Sequence, residues 1–97
     1  MMQTLIISKA CKKHLYMHAV AREALEACEA AIMPGQPMGD VFAAHAQIFE
    51  KAGLGHARLN ACGYAMGAIY NPIWVDFPMF YENNPRLMRE RQVFFCI

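Results

Sequence analysis

Apolar residues recur at intervals of three and four over residues 10–33: Met17, Val20, Ala21, Ala24, Leu25, Cys28, Ala31 and Ile32. Arg22, Glu23, Glu26 and Glu29 fall mostly between them. That spacing predicts an amphipathic helix with one buried stripe. Pro34-Gly35 should end it, through a missing donor followed by a permissive backbone. A second helix is expected over residues 41–52, with a stripe of Val41, Ala44, His45, Ile48, Phe49 and Ala52. Asp40 is its expected N-cap and Gly53 its C′ residue. Leu5, Ile6 and Ile7 favour a short strand over residues 4–8. Residues 57–63 and 65–70 read as extended chain interrupted by glycines, residues 82–85 as a turn, and residues 92–97 as a strand. The pattern predicts an α+β fold of one domain over residues 1–97. Two amphipathic helices should pack on a short, incomplete antiparallel sheet.

The stretch 60–81, NACGYAMGAIYNPIWVDFPMFY, stands apart from this scaffold. It holds Gly63 and Gly67, the single tryptophan Trp74, Tyr64 and Tyr70, and a lone carboxylate, Asp76. Glycine permits a turn or a close backbone approach where a side chain would block it. Pro72 and Pro78 are expected to set the course of an apolar loop. Ile73, Trp74, Val75, Phe77, Met79 and Phe80 are too apolar to stand together in water, so the segment should line a pocket or meet a partner.

Composition narrows the classes. The 97 residues are 57% hydrophobic and carry a formal charge of +1, which gives no electrostatic case for nucleic acid or an anionic membrane. Lys12-Lys13 and the group Arg86, Arg89, Arg91 read as solvated faces. Leu5-Ile6-Ile7 is too short for a signal sequence, and no run approaches the ~20 apolar residues of a membrane span. Cys11, Cys28, Cys62 and Cys96 show no CxxC spacing, which points to reduced thiols in a cytoplasmic protein. Cys28 should be a core residue, and Cys62 has no neighbouring base to activate it. His45 is expected to pack in the core or at its boundary. His14 and His18 have the i, i+4 spacing of helical metal sites but no intervening glutamate, since the run is HLYMH. A solvent-facing pair is the expectation.

The order of a helix, Met33-Pro34-Gly35-Gln36, Gly39-Asp40-Val41, a second helix, Ala52-Gly53-Leu54 and then Gly63-x-x-x-Gly67 resembles the pita-bread superfamily. That superfamily comprises methionine aminopeptidases, Xaa-Pro aminopeptidases and creatinases. The resemblance runs from Thr4 to Ile97 and covers the central part of the family's catalytic domain. Gly63-Tyr64-Ala65-Met66-Gly67 is similar to the family's Gly-His-x-x-Gly element, whose histidine binds metal, but here the position is Tyr64. A tyrosine hydroxyl is a poor ligand for Mn, Fe, Co or Zn beside imidazole. Tyr64 followed by Pro72-x-Trp74-x-Asp76 resembles the Xaa-Pro-peptidase-like branch with ectoine-hydrolase-like and dimethylsulfoniopropionate-lyase-like members.

The resemblance implies a fragment of a metallohydrolase or lyase acting on a small amide or zwitterionic substrate. Tyr64 and Asp76 are the implied catalytic residues, and Tyr70 and Trp74 the implied substrate-binding ones. The family's paired metal-binding aspartates precede the position matching Thr4, and its paired glutamates follow that matching Ile97. The chain is therefore expected to hold no cofactor and to be inactive alone, with the divalent metal and the small-molecule or peptide substrate belonging to a full-length, homo-oligomeric relative. The alternative is a non-catalytic, truncated or degenerate relative that oligomerises or binds protein. A small independent binding domain, using residues 73–80 as its interface, is a third reading.

Overall fold

The computed structural model describes residues 4–66 and 76–97. Helix α1 (Lys12–Ala31) and helix α2 (Met38–Lys51) are followed by a 3-10 turn at Gly55–Ala57 and strands β1 (Ala61–Ala65), β2 (Asp76–Tyr81) and β3 (Phe94–Cys96). The strands form one antiparallel sheet in the order β2-β1-β3. Helix α2 lies against β1 and β2, and α1 packs on α2. The expected α+β arrangement of two helices on a short antiparallel sheet is what the chain adopts.

The stripe on α1 is narrower than its sequence pattern predicts. Val20, Ala24 and Cys28, spaced four apart, are buried, whereas Met17 and Leu25 are exposed. The N-terminal part of α1 projects past the core, and Tyr16 there donates a hydrogen bond to the Ala52 carbonyl at 3.1 Å. On α2 the buried residues are Met38, Gly39, Val41, Phe42, His45 and Ala46, so the stripe is rotated toward Phe42 and Ala46.

Helix α2 also begins three residues before the expected point, with Pro37 rather than Asp40 as N-cap. The first helical N–H groups lack intrahelical partners. Here a distant segment satisfies two of them: Met38 N–H bonds the Arg86 carbonyl at 2.8 Å, and Gly39 N–H bonds that of Asn84 at 3.0 Å. Asp40 falls in the first turn, where a carboxylate favours the helix dipole. A Cβ on Gly39 would stand 2.9 Å from the Asn84 nitrogen, so only glycine admits this approach. The same segment bonds the α1–α2 connection through Met88 N–H to the Gln36 carbonyl and Gly35 N–H to that of Met88, and it buries Met88 in the core. Asn84 fixes its course, donating to the Met79 carbonyl at 2.7 Å and accepting from Arg86 N–H at 3.1 Å. Gly53 behaves as expected, with φ +71° and paired bonds from Gly53 N–H to Glu50 and from Leu54 N–H to Phe49.

Two further expectations are corrected. Residues 4–8 form no strand: among the described residues no partner strand joins them, and Leu5 and Ile7 are 85% and 89% exposed. Local β preference without a ladder to enter does not make a strand. Conversely, the proline-bearing segment near Pro78 is strand β2 rather than loop. Proline is tolerated there because β2 is an edge strand and its pairing skips Phe77 and Pro78, running Tyr64↔Met79 and then Ala65↔Asp76. The Phe77–Pro78 peptide is cis. The expected turn at residues 82–85 is present, with Asn83 at φ +58°, and the expected C-terminal strand is β3.

The core gathers Cys28, Met38, Val41, Phe42, Ala46, Cys62, Phe80 and Met88, with Phe94 and Cys96 packed against it. A register irregularity at Cys62 turns both Cys62 and Gly63 toward this core, and alternation then sends Tyr64 to the other face. All four cysteines are free thiols. The hydrogen bond to Cys28, and then burial, raise the Cys62 thiol far above its usual range, and burial pushes Cys96 up to about 11. Neither is a ready thiolate nucleophile at neutral pH.

Candidate functional site on the open face of the sheet

Cross-strand pairing assembles a row that no single stretch of sequence displays. Tyr64 on β1 stands opposite Met79 on β2 and Phe95 on β3, so the three share the face turned away from the helices. All three are half-buried, and the Tyr64 and Phe95 rings pack at 5.5 Å between centroids. Alternation from Met79 adds Tyr81 to this face, while Phe77, in the stretch that the pairing skips, is 71% exposed. Among the described residues no helix or strand covers this face. The result is an aromatic and thioether platform on the sheet, with the Tyr64 and Tyr81 hydroxyls as its polar groups. Such a surface can cover a ligand's apolar part, stack on a planar group or face a cation.

The four candidate residues separate. Tyr64 is on the platform. Asp76 opens β2 opposite Ala65, the residue after Tyr64, and so on the face opposite Tyr64 rather than beside it. Its Oδ1 accepts the Phe77 N–H at 2.7 Å, a local bond that fixes the start of the strand. Tyr64 and Asp76 are thus on neighbouring rungs but not brought to one point. Tyr70 and Trp74 lie outside the described residues. Met79 and Phe95, the platform's other members, were not among the candidates; the alternation of Val93, Phe95 and Ile97 was the available signal for Phe95.

The remaining titratable groups do not converge. His14 and His18 are exposed on α1. His45 is 6% exposed, as expected for a packed histidine, with its ring between Phe42 and Phe49 at centroid distances of 6.1 and 4.8 Å. Burial, and secondarily the Arg58 charge, hold its imidazole below the usual histidine range. Among the described residues no three His, Cys, Asp or Glu side chains come together as a metal site. No helix among them is long and apolar enough to cross a membrane.

Two helices layered on one face of an antiparallel sheet, with an aromatic row on the other, define part of a pita-bread domain. The chain belongs to metallopeptidase family M24, which matches residues 1–96. Its fold is similar to the crystal structure of a dipeptidase from Pyrococcus horikoshii OT3, with a TM-score of 0.74 and 19% sequence identity. That match covers 86% of this chain and 22% of the dipeptidase chain, so the sequence spans less than a quarter of the solved protein's length. No curated protein matches it. A metallopeptidase family implies a metal, and the donor set tests whether one fits. Among the described residues it does not: the paired histidines of α1 have no third donor there, and the platform offers a tyrosine hydroxyl and a thioether where hard or borderline divalent ions want imidazole and carboxylate.

Proposed function

We propose that this chain is the central part of a cytoplasmic, Xaa-Pro-peptidase-like hydrolase or lyase of family M24, and that its open sheet face is one wall of the substrate pocket. The row of Tyr64, Met79 and Phe95 carries the reading, because it offers an aromatic surface with one proton-active group on the helix-free side of the sheet. In this proposal the Tyr64 hydroxyl donates or accepts a proton at the reacting bond, and Asp76 supplies counter-charge from the adjoining rung. Tyr70 and Trp74 would add aromatic walls suited to a small amide or a zwitterion with an onium group. Two-metal hydrolysis needs carboxylates that hold the ions ~3.5–4 Å apart. The described residues provide no such set, so these residues alone should turn over no substrate, and a metal-bearing oligomer would require flanking sequence.

The first test is the coding locus on either side of the reading frame. Paired Asp motifs upstream and paired Glu motifs downstream support the enzyme. In-frame stops on both sides would sink it. Incubating the purified 97-residue chain with Mn, Fe, Co or Zn and Xaa-Pro dipeptides should give no hydrolysis; metal-dependent turnover would overturn the claim that the chain is inactive alone.

A second reading, a non-catalytic module that oligomerises or binds protein, is favoured by one observation. β2 and β3 are both edge strands of the described sheet, and Phe77 and Tyr81 in β2 and Val93 just before β3 are exposed. Sedimentation discriminates the two: a defined, dilution-resistant oligomer of the 97 residues supports the module.

A further inference from the structure

Three of the four thiols gather on the helix side of the sheet, and the candidate site uses none of them. Cys28 comes from the buried stripe of α1, Cys62 from β1, and Cys96 from β3 opposite Gly63. Cys28 and Cys62 are each 1% exposed, whereas Cys96 is half-buried and Cys11 is exposed. The first two are hydrogen-bonded sulfur to sulfur, with the Cys62 S–H donating to Cys28. The Cys28 S–H in turn points to the Val41 carbonyl at 4.0 Å. A lone buried cysteine serves as a small apolar residue. Two that meet from separate elements also hold the makings of a cross-link, because the fold has already brought their side chains together.

We propose that Cys28 and Cys62 form a redox-responsive pair, which a peroxide closes into an intrachain disulfide tying α1 to β1. The Cys28 thiol gives up its proton and its sulfur attacks one peroxide oxygen. The O–O bond breaks, and the departing hydroxide takes that proton to leave as water, with Cys28 now a sulfenic acid. The Cys62 sulfur then attacks the Cys28 sulfur. The S–O bond breaks, and the hydroxide released takes the Cys62 proton as a second water. Two thiols lose two electrons in all, and the peroxide is reduced to two waters. The order follows from the hydrogen bond: the Cys62 S–H stabilises a Cys28 thiolate, so Cys28 ionises first. Cys96, pushed up to about 11 by burial, is the poorer attacker. The cross-link would fall two residues before Tyr64, on the strand that carries the centre of the platform.

Hydrogen peroxide is the probe, added to the purified protein at neutral pH. Remaining thiols are blocked with N-ethylmaleimide, and the chain is digested for mass spectrometry. The expected product is a monomer with a linked Cys28–Cys62 peptide pair that dithiothreitol releases. Its thermal midpoint should rise on oxidation, because the cross-link restricts the unfolded chain. Cys11→Ser should form the same bond, whereas Cys62→Ala should form none and show no rise with peroxide. Linkage mainly through Cys11 or Cys96, or only between chains, would overturn the assignment. So would conversion of Cys28 to sulfinic acid without a cross-link, or recovery of both Cys28 and Cys62 unoxidised after Cys11 has reacted. The peptide map of the unmodified protein decides the matter even where Cys62→Ala does not fold.

Discussion

The two faces of the sheet are similarly apolar in composition and opposite in construction. Toward the helices, Phe80, Cys62 and Phe94 meet Met38, Val41, Phe42 and Cys28, and the Phe80 and Phe94 rings pack at 4.7 Å. Away from the helices, Tyr64 stands between Met79 and Phe95 with its ring packed on that of Phe95, and the row carries no second layer among the described residues. Hydrophobicity alone does not distinguish a core from a surface built for contact. The distinction comes from what lies opposite each residue.

The largest effect should come from emptying the helix-side face. Phe80 is fully buried, and Phe→Ala at such sites costs about 3–5 kcal/mol. A folded unit of this size has little stability to spare, so Phe80→Ala should abolish the cooperative unfolding transition in circular dichroism. A transition retained within a few degrees of the parent's would mean that this face is not the core. Adding volume is the next test. A Cβ on Gly63 would stand 2.6 Å from the Phe95 carbonyl oxygen and 2.8 Å from Phe80 Cδ2. Backbone oxygen cannot yield as a flexible side chain would, so Gly63→Ala should destabilise by about 1–3 kcal/mol, read from denaturant midpoints. An unchanged midpoint would show that β1 and β3 are not paired in this register.

A smaller effect should appear with pH. His45 binds its proton less readily in the native protein than in the unfolded chain, chiefly because it is buried. The unfolded state therefore takes up protons first, beginning as pH falls through about 6.5. The contribution is absent above that range, grows as a loss of stability on acidification, and levels off once native His45 also protonates. The thermal midpoint should fall between pH 7.5 and 5.5, and His45→Phe, which keeps a ring between Phe42 and Phe49, should remove part of that fall. An identical slope in the variant would place the titrating group elsewhere.

Which of these features the sequence displays depends on how local their causes are. Both helices follow from the 3.6-residue period, and Gly53 from the requirement for positive φ at a helix end. The start of α2 does not, because Arg86 and Asn84 satisfy its first N–H groups from nearly fifty residues away. Strand β2 reads as loop because proline removes a ladder donor, a penalty that disappears at an edge where the pairing skips it. Leu5, Ile6 and Ile7 read as strand because β preference is visible in sequence, whereas the lack of a partner among the described residues is not. Of the candidate site, Tyr64 was marked by its position between Gly63 and Gly67. The platform around it depends on register across three strands and on an irregularity at Cys62, which no one-dimensional pattern carries.

The smallest expected effect bears most directly on the platform. Tyr64→Phe keeps the ring on Phe95 and deletes only the hydroxyl, which has no hydrogen-bond partner among the described residues. Stability should change by no more than about 0.5 kcal/mol, as for substitutions that disturb no packing or polar network. In a full-length form that turns over substrate, the same change should lower kcat by about 10²–10⁴, the usual contribution of a positioned proton-transfer group. The pair of measurements separates a hydroxyl kept for chemistry from one kept for folding. A loss above about 1 kcal/mol in the denaturant midpoint would show the hydroxyl anchored in the fold, and the face would then be a packing surface awaiting its second layer. Unchanged stability with unchanged turnover would leave Tyr64 as an aromatic spacer and move the proton transfer to another residue.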